Sequence, residues 1–109
     1  MNPQPLPQTF SASLIEHRRE LDSIDAQLVS LLAARFAITR RIGALKAAHG
    51  VAAADPAREQ AQLERLLVLS AAEELPTEVT RTVFETLFRF VRANHLAQAN
   101  STNERGVDG

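Results

Sequence analysis

Residues 14–49 read LIEHRRELDSIDAQLVSLLAARFAITRRIGALKAAH, a stretch without proline whose apolar residues recur on a heptad. Leu14, Leu21, Leu28 and Ile42 fall on one line; Ile24, Leu31, Ile38 and Leu45 fall on a second. Two such lines make an apolar stripe along one face of a helix. Ser11 or Ser13 is placed to cap its start, and Gly50 follows His49 as a stop. A helix of about 38 residues is about 57 Å long. A globule of this chain's 109 residues has a radius of gyration of only about 13 Å. The rest of the chain cannot cover so long a seam, which predicts a second chain against it.

Arg35 sits on the first line, between Leu28 and Ile42, where an apolar residue belongs. Arginine is rarely buried unless paired, because desolvating its charge costs several kcal/mol. Lys46 follows eleven residues later. At about 100° per residue that is roughly three full turns, so both cations lie on one face. No carboxylate of the first helix lies between them on that line, which leaves the remainder of the fold, or a ligand, to supply the anion. Snorkelling, or pairing with Asp55 or Glu59, is the structural alternative.

Helix breakers draw the rest of the map. The prolines are Pro3, Pro5, Pro7, Pro56 and Pro76, and glycine occurs at Gly43, Gly50, Gly106 and Gly109. Residues 1–10 are expected to form a flexible N-terminal segment and residues 100–109, polar and aperiodic, a flexible tail around an 11–99 helical domain. Asp55 followed by Pro56 starts a second helix through Leu63, Leu66, Leu67 and Leu69. A third begins at Pro76 or Thr77 and carries Val79, Val83, Phe84, Leu87, Phe88 and Val91, its face continuing to His95 and Gln98. Phe84, Phe88 and Phe90 are assigned to the core. Gly43 weakens the first helix by about 1 kcal/mol relative to alanine and marks a close approach of backbone or ligand. The expected fold is all-α, three helices per chain in an intertwined homodimer.

Composition excludes several functions. Net charge is −1, which gives no electrostatic ground for nucleic acid or an anionic membrane as partner. There is no cysteine, hence no disulfide, thiolate metal site or cysteine nucleophile. The N-terminus lacks a basic and then apolar signal, and no apolar run approaches a membrane span, so the expected compartment is cytoplasmic. Individually, Arg18 and Arg19 suit a solvated face beside Glu16 and Glu20. Asp55 suits an N-cap, Arg58 and Glu59 the surface, and His95 a half-buried packing position.

The ordered set says more. Arg18 and Asp25 as R-x6-D, then LLAAR ending at Arg35, IGALK ending at Lys46, and Asp55, Arg58 and Glu59 as D-x-x-R-E resemble the all-helical class of chorismate mutases. The resemblance runs from about residue 14 to 98. It implies a stand-alone isomerase of aromatic amino acid biosynthesis that converts chorismate to prephenate without metal or cofactor. It also implies a three-helix chain dimerised through its first helix. On this resemblance Arg35 binds a substrate carboxylate, and Arg18 reaches a second carboxylate from the partner chain. Lys46 contacts a carboxylate and the ether oxygen of the breaking bond. Asp55, through its backbone, and Glu59 hold the ring hydroxyl, and Arg58 fixes the local charge network and the substrate.

The residue types suit a dianion that rearranges by an intramolecular [3,3] shift: arginine forks for carboxylates, a lysine point charge where negative charge develops. Departures come in the third helix. His95 stands where many members carry a glutamine that donates to the ether oxygen, Val91 where some carry a small polar residue, and Gln98 lies one turn on. Alternatives in keeping with these residues are a mutase or lyase for 4-amino-4-deoxychorismate or isochorismate, and a non-catalytic chorismate-binding dimer. A purely structural helical dimer is the plainest reading.

Overall fold

The computed structural model describes the backbone of residues 3–107 and the side chains of residues 3–102. Three helices account for most of it: α1 (Gln8–Ala48), α2 (Pro56–Ala72) and α3 (Thr77–Val107), and no strand occurs among the described residues. The chain is therefore all-α, as expected. No helix among the described residues is long and apolar enough to cross a membrane.

Helix boundaries depart from the sequence reading at both ends of the chain. Neither Ser11 nor Ser13 caps α1. The carbonyl of Pro7 takes the amides of Phe10 (3.0 Å) and Ser11 (3.3 Å), because nothing in residues 8–13 breaks a helix once the proline has fixed the approach. α3 likewise continues beyond Ala99 to Val107, since no proline interrupts it after Thr77. The outermost parts of the expected N-terminal segment and tail, residues 1–2 and 108–109, lie outside the described residues.

Two helix stops share one geometry. Gly50 has φ of 66°, with Val51 N donating to Lys46 O (2.9 Å) and Gly50 N to Ala47 O (3.4 Å). Glu74 has φ of 58°, with Leu75 N donating to Ser70 O (2.9 Å) and Glu74 N to Ala71 O (3.0 Å). Both are Schellman motifs, in which a left-handed residue lets the last carbonyls find donors. Glycine fills the first at little steric cost; a glutamate fills the second.

The chain divides into two compact units, Met1–Arg35 and Phe36–Gly109. In the first, most of α1 is exposed, and its surface pairs His17–Glu20 (3.7 Å) and Arg19–Glu16 (3.8 Å) are solvated. Such pairs contribute about 0–1 kcal/mol. In the second unit α2 packs on α3 around Leu63, Leu87 and Phe88. Phe84 and Phe88, one turn apart, bring their ring centroids to 6.2 Å at 53°. Phe90 does not join them. It is 58% exposed, with the Arg89 guanidinium 6.0 Å from its ring, because two residues past Phe88 is the far side of the helix. At the α2–α3 turn, Thr80 Oγ1 donates to Ser70 Oγ (2.6 Å), which donates to Leu75 O (2.9 Å), so these two buried hydroxyls satisfy each other and the turn.

Candidate active site

In the first unit Arg18 is exposed and stands outside both surface pairs. Arg35, in contrast, is half-buried, and burial lowers the pKa of its guanidinium from the ordinary value. Desolvation disfavours the charged form, yet arginine stays protonated at any working pH. The helix therefore carries a permanent cation in a partly desolvated position.

In the second unit the link between α1 and α2 is fastened to Lys46 at both of the residue's ends. Its carbonyl accepts from Val51 N at the helix stop, and its half-buried Nζ donates to Ala53 O at 3.4 Å. At that length the side-chain bond is weak, so the ammonium can exchange it for a stronger acceptor at small cost. Lys46 also lies in the last turn of α1, where a cation complements the helix dipole.

Asp55 caps α2 as its residue type predicts. Its Oδ1 accepts from Arg58 N (3.1 Å), and its carbonyl accepts from Glu59 N (3.1 Å). With that carboxylate oxygen committed to the cap, the first turn of α2 is fixed and Glu59 is presented from a rigid base. Arg58 is exposed on the same turn. The Glu59 carboxylate is engaged by Arg92 Nη1 of α3, an ion pair that ties the start of α2 to the third helix.

His95 is buried, and its Nε2 lies 2.8 Å from the carbonyl of Thr39. A carbonyl only accepts, so Nε2 carries a proton and donates. One turn later, Gln98 Nε2 donates to Arg40 O at 3.0 Å. Both contacts depend on Gly43. A Cβ there would stand 1.8 Å from Gln98 Oε1 and 2.6 Å from His95 Cδ2, so glycine is what lets α3 close on α1. The close approach expected at Gly43 is therefore an approach of side chains from α3. Gln98 Oε1, pressed against this glycine, is buried and has no hydrogen-bond partner among the described residues. Val91 is half-buried on the same face of α3.

The second unit thus gathers Lys46 at Ala53, Glu59 at Arg92, and His95 with Gln98 at the C-terminal turns of α1. A cleft of 490 Å³ opens between Ala53–Ala54 and the α3 residues Arg89, Arg92, Ala93 and Leu96. Among the described residues no three of His, Asp and Glu lie close enough to hold a metal ion. The residue that sequence reasoning missed is Arg92. It flanks the buried face of α3 three residues before His95, where an arginine looks like one more solvated charge. Its pairing with a glutamate 33 residues away leaves no local trace.

Residues 17–96 match the chorismate mutase type II family, and the chain belongs to it. Over 86 residues, 79% of the chain, it is also 28% identical to the T-protein of Haemophilus influenzae. The aligned region is 23% of that curated relative, so the chain spans less than a quarter of its length.

Proposed function

We propose that this protein is a chorismate mutase, converting chorismate to prephenate by a [3,3] rearrangement in which one C–O bond breaks as one C–C bond forms. The observation that carries the reading is that the family match over residues 17–96 includes Arg18, Arg35, Lys46, Asp55, Arg58, Glu59, Val91 and His95. The reaction is intramolecular and moves no net proton, so the protein's task is to hold a reactive conformer and stabilise charge. Arg35, desolvated before any ligand arrives, takes a carboxylate of the dianion. Lys46 releases its long bond to Ala53 O and meets a carboxylate and the ether oxygen. Glu59 accepts the ring hydroxyl, and the Asp55 backbone and Arg58 complete the polar end of the site. Val91 closes it with apolar surface, and His95 stands beside the ether oxygen.

The active form in this reading is a homodimer in which Arg18 comes from the partner chain. It is supported by the exposure of Leu21, Ile24, Leu28, Leu31, Ile38 and Leu45, each more than half accessible on a single chain. Contiguous apolar surface on that scale marks an interaction face.

Loss of chorismate absorbance tests the activity directly, and a chain without Trp or Tyr adds little background. Lys46→Ala is expected to lower kcat and kcat/KM together by about 2.7 kcal/mol, as loss of an oxyanion donor does. No consumption of chorismate by the purified protein would overturn the reading. A rise in KM alone in Lys46→Ala would reduce Lys46 to a carboxylate holder.

A further inference from the structure

We infer that Arg92 sets the substituent this site accepts on the substrate ring, selecting a neutral hydroxyl over a protonated amine by neutralising Glu59. The inference rests on the chorismate mutase reading, in which Glu59 accepts the ring hydroxyl; Arg92 itself comes from the structure.

The pair is built across two helices. Glu59 sits in the first turn of α2, whose geometry is fixed by the Asp55 cap, and Arg92 reaches it from α3. The glutamate side chain is 24% exposed and the arginine 45%, so the carboxylate is the more enclosed partner. The same arginine lines two clefts: one bounded by Ala53 and Ala54, which Arg89 also lines and where no carboxylate is found, and one lined by Glu59 and Glu85 together with Arg89. Glu59 is therefore not a bare anion facing a ligand. It is one half of a neutral pair whose cation reaches both clefts.

That arrangement discriminates by charge. An ionised carboxylate bonded to one guanidinium still has lone pairs to accept a hydroxyl proton, so a neutral O–H donor is satisfied with little electrostatic cost. A substituent that is an ammonium at neutral pH gains attraction to Glu59 but meets comparable repulsion from Arg92. It gives up hydration for a net interaction near zero. Without Arg92 the same carboxylate would favour the ammonium. Because the pair is partly solvated, the discrimination it supplies is about tenfold and not several thousandfold. Arg92 acts through Glu59, which makes it a positioning residue that determines specificity.

The test compares kcat/KM for chorismate and for 4-amino-4-deoxychorismate, which carries a primary alkylamine where chorismate carries its ring hydroxyl. The full-length wild type, Arg92→Gln, Arg92→Lys and Glu59→Gln are measured side by side. The wild type is expected to prefer chorismate. Arg92→Gln should shift the ratio toward the amino compound by about tenfold, and Arg92→Lys, which keeps the charge, should retain the wild-type ratio. Glu59→Gln, which leaves the cation alone, should move the ratio the opposite way while lowering both rates. A merely structural role for Arg92 would depress both substrates equally and leave the ratio fixed. That result with an active wild type, or an equal shift in Arg92→Lys, overturns the inference and leaves the mutase reading standing. A wild type that prefers the amino compound overturns it as well. A wild type that turns over neither compound removes the mutase reading and this inference together.

Discussion

At the scale of single residues, His95 is the side chain whose surroundings most constrain what it can do. Its Nε2 proton is given to the Thr39 carbonyl, and the ring is buried against Gly43. A hydrogen bond from this ring to a substrate oxygen must then come from Nδ1, which bears a proton only in the imidazolium. If the ring serves as that donor, His95→Gln, which substitutes a neutral amide donor, should retain activity, and His95→Ala, which supplies none, should lose it. Values of kcat for wild type, His95→Gln and His95→Ala check this. Three equal values would leave His95 as a residue that packs α3 on α1 and nothing more. The candidate residues of the proposed site stood out in the sequence, because Arg35, Lys46, Asp55 and Glu59 each break a local pattern or complete a spacing. What His95 bonds to was not readable, because Thr39 lies 56 residues away and its backbone carbonyl has no signature in sequence.

At the scale of elements, the two helix stops make a controlled comparison. Both place one residue in the left-handed region, Gly50 after α1 and Glu74 after α2. An L-residue pays about 1–2 kcal/mol for that conformation, while glycine pays mainly in unfolded-chain entropy. Glu74→Gly is therefore expected to stabilise the protein by about 0.5–1 kcal/mol, and Gly50→Ala to destabilise it by about 1 kcal/mol. The alanine would meet no neighbour within 4 Å, so its whole cost is backbone conformation. Thermal unfolding at one fixed protein concentration measures both, and Tm values moving the same way would refute the shared-motif account. Gly50 was legible as a stop because glycine is the usual left-handed residue. The end of α2 was legible only through Pro76, since a glutamate in the same motif looks like ordinary helix. The start of α1 was misread for a related reason. Ser11 and Ser13 are good caps by type, but a cap forms only where a helix begins, and Pro7 had already begun it.

At the scale of the whole molecule, the exposed seam together with Arg18 and Arg35 of the first unit poses one question: what does the second chain contribute? Arg18 and Arg35 are seventeen residues apart on α1, about 25 Å along a helix axis at 1.5 Å per residue. One small dianion cannot span that distance, so in the proposed dimer Arg18 serves the partner's site. Alone, Arg18→Ala and Arg35→Ala should each be nearly inactive, because each removes a carboxylate fork from both sites of the symmetric dimer. Mixing the two variants under conditions of subunit exchange should restore activity. Half of the dimers are then mixed, and each mixed dimer has one site with both arginines intact and one with neither. About a quarter of all sites therefore recover, the value two-fold sharing requires. Sedimentation must first show the dimer, and exchange must be verified with a mass-tagged chain. Recovery to that level would establish that the long first helix pairs the chains and also carries one chain's arginine into the other's site. Verified exchange with no recovery would place both arginines in service of the same chain, and the seam would then require a different explanation from the active site.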